Sequence, residues 1–193
     1  MRRLAAVFLA CVGCADSSRP PSPLPTPPAI VPSDPLVGTY ALTFNVGAEC
    51  PIPDEARTRR YAATIDATGG GAYVVTLGDA TFLGGLFCES VSGMGCHQFR
   101  AGLQGSVVSF TLATTDDTLG GEIVEHLPSG TWLRVSGTAI GQLSSGTIEA
   151  RGGGSIWYCP SPAASLSLCP SAATCRTNDI RLSFTRNPSP WDY

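Results

Sequence analysis

From residue 36 onward the chain is a succession of short alternating apolar and polar runs, each closed by a Gly, Ser or Asp turn. A period of two dictates β-strands. Residues 38–46 (GTYALTFNV) place Tyr40, Leu42, Phe44 and Val46 on one face. Further runs cover 60–67, 72–77, 99–103, 106–113, 121–127, 131–143, 145–158 and 179–186. No stretch of ten or more residues carries the apolar stripe of an amphipathic helix. The composition agrees: 22 Gly and 16 Pro stand against only 14% charged residues, a mix that favours turns over helices.

About nine short strands in near-sequential order predict an all-β fold, an antiparallel up-and-down meander of about 8–9 strands. A sheet that long has to close or split to avoid open edges. The expectation is a closed or nearly closed barrel over residues 36–187, with a two-sheet β-sandwich as the alternative. The glycines within 131–143 and 145–158 predict bulges or sharp bends.

The segments ahead of this domain read as an address and a tether. Arg2 and Arg3 form a short positive region, and residues 4–10 (LAAVFLA) a short apolar one, far below the roughly 20 residues a membrane span needs. The following Cys11-Val12-Gly13-Cys14 resembles the bacterial lipobox, with Val12 and Gly13 ahead of Cys14 and Cys11 where Leu is usual. The resemblance implies a signal over 1–13, lipidation (diacylglycerol and acyl chains such as palmitate) at Cys14, and a membrane partner through that anchor. Cys11, after Phe8-Leu9-Ala10, is the alternative site, and an ordinary secretory signal is the alternative reading. Residues 14–35 form a Pro-rich stretch with eight prolines between 17 and 35. Such a chain cannot build a helix or a central strand, and is expected as a disordered, extended tether of roughly 50–60 Å. Residues 188–193 are expected as a C-terminal tail carrying Trp191 and Tyr193.

Residues 36–40 (LVGTY) resemble the opening of lipocalin- and avidin-type barrels, which carry Gly-x-Trp on the first strand. Gly38 matches, and Tyr40 stands where Trp is usual. The resemblance implies a closed barrel of the kind that holds one small ligand or fills with side chains.

Beyond Cys11 and Cys14 there are six cysteines, an even set that reads as disulfides in an exported domain. Sequence alone leaves 15 connectivities open. In a closed meander the last strand lies antiparallel beside the first, so Cys50–Cys175 is the expected clasp across the seam. Cys50 follows the first strand, and Cys175 is placed just before a last strand starting at Asp179. Cys88–Cys96 and Cys159–Cys169 then remain as local staples. The spacing is irregular and contains no Cys-x-x-Cys pair, so no metal site is expected, and no cofactor.

Candidate chemistry is sparse. All 12 basic residues are Arg, which excludes Schiff-base chemistry and a lysine base. Net charge is −3, and setting aside Arg2 and Arg3 leaves 10 Arg against 15 acids, or −5, which argues against a nucleic-acid partner. His97 beside Cys96 suggests a nucleophile pair, but neighbours on a strand face opposite ways. Glu122, Glu125 and His126, with Asp116 and Asp117 nearby, read as a solvated hairpin rather than paired carboxylates. Gly-x-Ser-x-Gly is absent, and Gly152-Gly153-Gly154 lacks the Lys of a phosphate loop. Arg57 and Arg59 form the densest basic spot with Arg60. They would share a face on an extended segment and are the candidate ligand-binding residues for a carboxylate or phosphate. Pairing with Asp54, Glu55 and Asp66 is the competing reading. Trp132 and Trp157 are expected in the core.

The function expected from these features is a monomeric, non-enzymatic, envelope-anchored barrel at the outer membrane or cell surface. It would bind a small apolar ligand in the barrel mouth, or another envelope protein. The alternatives are a surface or adhesion module, or an inhibitor presenting stapled loops. A hydrolase has the least support.

Overall fold

The computed structural model describes residues 34–83, 94–112, 122–160, 169 and 173–187. The expected signal, Cys11, Cys14, the tether up to residue 33 and the tail 188–193 lie outside the described residues, as do Cys88, Asp116 and Asp117.

Ten strands and one short helical turn follow in order: β1 (Gly38–Val46), α1 (Asp54–Arg57), β2 (Thr58–Gly69), β3 (Ala72–Gly78), β4 (Thr81–Phe82), β5 (Gln98–Gln104), β6 (Val107–Leu112), β7 (Ile123–His126), β8 (Trp132–Ser144), β9 (Thr147–Cys159) and β10 (Ala173–Arg186). Eight of them close an antiparallel barrel in the order β1-β2-β3-β5-β6-β8-β9-β10, with β10 returning to β1. The sandwich alternative is thereby excluded. The two additional strands extend existing lanes of the wall. β6 covers Gly137–Gln142 of β8, and β7 continues along the same edge from Trp132 to Val135. β4 pairs in turn with β7, matching Thr81 to His126 and Phe82 to Glu125.

The two ends of the barrel differ. At one end the links are the short turns 70–71, 105–106 and 145–146. Gly70 and Gly71 (φ 63° and 77°), and Ser145 and Gly146 (47° and 81°), are all left-handed. Tight hairpins between right-twisted strands demand that conformation. At the other end the connections 47–57, 79–97, 113–131 and 160–172 are long.

The period-two reading of β1 is realised in full: Tyr40, Leu42, Phe44 and Val46 are all buried. The interior is occupied by side chains. Tyr40 meets Phe184 edge-on at 6.0 Å between ring centres, Phe184 stacks on Phe110 at 5.0 Å, and Phe110 meets Phe99 at 6.1 Å. Room for these rings comes from β8 and β9, whose inward positions pair Gly137 with Gly154, Ala139 with Gly152 and Gly141 with Ala150. There the wall bends so tightly that a Cβ on Gly152 or Gly154 would overlap the carbonyls of Thr138 or Ser136. The glycine-rich strands expected to bulge are themselves continuous. The irregularity falls on the neighbour β10, between Thr177 and Ile180, opposite Gly152 and Gly154.

Disulfides join Cys50 to Cys175 and Cys159 to Cys169. Cys96 is also disulfide-bonded. The expected placement of Cys175 needs correction. β10 starts at Ala173, so Cys175 lies within the strand, opposite Ile156, and not ahead of it. A run of polar residues with one aliphatic side chain hid those first turns of strand, which pair because β9 continues beside them. Trp132 is buried in a second small cluster with Cys96, Val124 and Cys159, while Trp157 is only half-buried against it.

Candidate functional site

Among the described residues, the most heavily charged buried group sits at the mouth of the long-loop end. Inward positions on β2 alternate through Tyr61, Ala63 and Ile65, and this parity also turns Arg59 inward. β7 presents Glu125 from the opposite wall, with Ile123 on the same face. The Glu125 side chain is 1% exposed and Arg59 is 17% exposed. Arg59 donates Nε to Glu125 Oε2 at 3.0 Å, and Nη2 to Oε1, so the contact is bidentate. The Tyr61 hydroxyl donates to Oε2 at 2.7 Å.

The electrostatics follow from this geometry. Burial works against the Arg59 cation, yet the Glu125 hydrogen bonds and charge outweigh it and hold the guanidinium above its ordinary pKa. Burial, with the Glu125 carboxylate adding to it, pushes the Tyr61 phenol well above its ordinary value. Glu125 was expected on a solvated hairpin; it is instead the carboxylate of a desolvated pair. Nothing local to residues 121–127 encodes this, because the partner lies 66 residues away.

Arg57 and Arg59, expected to share a face, are divided by an element boundary. Arg57 ends α1 and Arg59 is in β2. Arg57 pins the 47–57 connection, donating to the carbonyls of Gly47 (3.4 Å), Cys50 (3.2 Å) and Ile52 (2.9 Å). Its Nε lies 3.5 Å from Asp54. Of the acids expected beside the pair, Asp54 meets Arg57, and Glu55 offers Arg59 only its carbonyl, at 3.4 Å. Both guanidinium groups therefore have partners inside the fold.

Above the Arg59–Glu125 pair lies an open cleft of about 400 Å³, lined by Asp79, Ala80, Thr81, His126, Pro128 and Gly130 among others. His126 stacks on Trp132 at 4.5 Å. A second cleft of about 360 Å³ runs along the outer wall over Ala41 and Ala62 and shares Asp79 with the first. Arg59 and Glu125 satisfy each other at the floor of the mouth, and Asp79 and His126 line the same cleft.

The Cys96–His97 pair has no nucleophile to offer, since Cys96 is oxidised. The His97 ring packs 5.9 Å from Phe82. Glu122 is held by Arg134 through two hydrogen bonds of 2.6 and 2.7 Å. Among the described residues, no three His, Cys, Asp or Glu side chains gather into a metal-binding group. No known protein family, curated protein or solved structure matches the chain.

Proposed function

We propose that this chain is an exported, lipid-anchored domain that works by binding another macromolecule, with the long-loop end of the barrel as its recognition face. The observation that carries the reading is the asymmetry of the barrel. Its interior is filled by the Tyr40, Phe184, Phe110 and Phe99 rings, and at one end the strands are linked only by short turns. The other end gathers the long connections on a rigid frame. Recognition residues concentrate on such loops, because a scaffold fixes them without dictating their sequence. A filled barrel favours an external partner over an apolar ligand held inside. Oxidised cysteines favour a compartment outside the cytoplasm.

Intact-mass measurement of the full chain extracted from its native membrane tests the reading. The expected species starts at Cys14, carries acyl mass on that residue and retains no small molecule. A retained apolar ligand, or an unacylated N-terminus in the extracted protein, would contradict it.

A further inference from the structure

The pairing of β2 leaves an open edge. β1 accompanies β2 from Thr58 to Ile65, whereas β3 joins it only from Ala62, opposite Gly78. Among the described residues, 58–61 therefore have a strand neighbour on one side only. Beyond Gly78 the chain turns at Asp79, in a left-handed conformation (φ 61°), and returns as β4, which pairs away from β2 with β7. An edge strand directs alternate peptide N–H and C=O groups outward, a template for another extended chain. Here the template borders space. The mouth cleft includes Arg59, and the outer cleft includes Arg60, Tyr61 and Ala62. Asp79 belongs to both clefts and is exposed, and no described hydrogen bond or ion pair engages its carboxylate. Glu55, exposed on α1, adds a second negative charge beside the start of β2, against the one exposed cation of the edge, Arg60.

We infer that the β2 edge at residues 58–61 receives an extended segment of a partner protein as an added strand, with a basic side chain of that segment facing Asp79. Main-chain hydrogen bonds would supply affinity, and the Asp79 carboxylate the choice of charge. The inference rests on the reading of the domain as a protein-binding module and names the partner's chemistry.

The test uses the folded protein and an end-blocked seven-residue peptide alternating lysine with valine, followed by amide NMR shifts. The expected result is saturable shifts confined to residues 58–61 and 79–82. They should be absent with the same peptide N-methylated on alternate nitrogens, and absent with its glutamate counterpart. Asp79→Asn, which keeps a residue that tolerates the left-handed turn, should weaken binding on the order of five-fold. Three outcomes would overturn the inference: no shifts at millimolar peptide, shifts located elsewhere, or equal binding by the N-methylated peptide. Each leaves the acylation and mass test of the domain's function standing, so the two can fail separately.

Discussion

Arg186, near the end of the last strand, holds its guanidinium 5.4 Å from the centre of the Tyr40 ring on the first strand. Its Nη2 donates to the carbonyls of Pro35 (2.7 Å) and Val37 (2.8 Å) and to the Tyr40 hydroxyl (3.0 Å). That hydroxyl in turn donates to the Leu36 carbonyl at 2.8 Å. Leu36 is fully buried, so the segment before β1 closes the short-turn end of the barrel. Asp34 continues the closure, accepting from the Leu36 amide at 3.0 Å and from the Tyr73 hydroxyl at 2.9 Å.

Arg186→Ala should therefore destabilise the domain by about 2 kcal/mol, since it strips a donor from two backbone carbonyls as well as a cation from the ring. Arg186→Lys should recover little, because an ammonium cannot reproduce the planar fork. Tyr40→Phe should cost about 1–2 kcal/mol. Urea unfolding followed by tryptophan fluorescence measures all three.

The mouth pair should show the asymmetry of a buried salt bridge. Glu125→Ala leaves the Arg59 cation largely buried without its partner and should cost about 3–5 kcal/mol. Replacing both residues with apolar side chains, Arg59→Met with Glu125→Leu, should recover most of that loss. A double mutant as unstable as the single one would show that the pair is needed for the wall itself to close.

The tyrosines predict the alkaline limit of stability. The Tyr61 phenol is raised by burial and by Glu125, and that of Tyr73 by burial and by Asp34. A folded-state pKa above the unfolded one gives stability that is complete below about pH 10 and lost as pH rises beyond it. Phenolate absorbance should accordingly show groups that ionise only together with unfolding, and Tyr61→Phe should remove one of them.

The two cystines close loops of very different size, with sequence separations of 125 for Cys50–Cys175 and 10 for Cys159–Cys169. On the chain-entropy account, losing the first costs about 5 kcal/mol and losing the second about 3 kcal/mol. Paired Cys→Ser variants, compared by urea unfolding, check the order.

At Gly152 an added methyl would meet the Thr138 carbonyl and the Ala139 Cα. Both are backbone atoms of a paired strand, so they cannot swing aside as a flexible side chain can. Gly152→Ala should cost at least about 2 kcal/mol, whereas Gly70→Ser, at a turn with nothing within 4 Å, should cost less. Thermal unfolding of the two variants separates them.

The barrel was legible because alternation is a local signal. Tyr40 to Val46 and Val107 to Leu112 announce their inward faces without reference to any other part of the chain. The seam was legible too, since closure brings the first and last strands together and so places Cys50 near Cys175. The mouth was not legible. Arg59 and Glu125 meet only because the closed barrel sets β2 and β7 across the mouth from each other, and nothing within either segment encodes a partner 66 residues away. β4 escaped for a related reason: two residues carry no period, and their pairing with β7 comes from the surrounding wall. Arg57 and Arg59 looked alike as neighbours, but the helical turn at Asp54–Arg57 sends them to different work.

The recognition face is tested most directly by photo-crosslinking on intact cells. A photoreactive residue at Pro51 or Ser129 would report on the long-loop end, and one at Gly70 or Ser145 on the short-turn end. The account predicts a discrete protein adduct from the first pair of positions and none from the second. An adduct from the short-turn end alone, or none from any of the four positions, would contradict it.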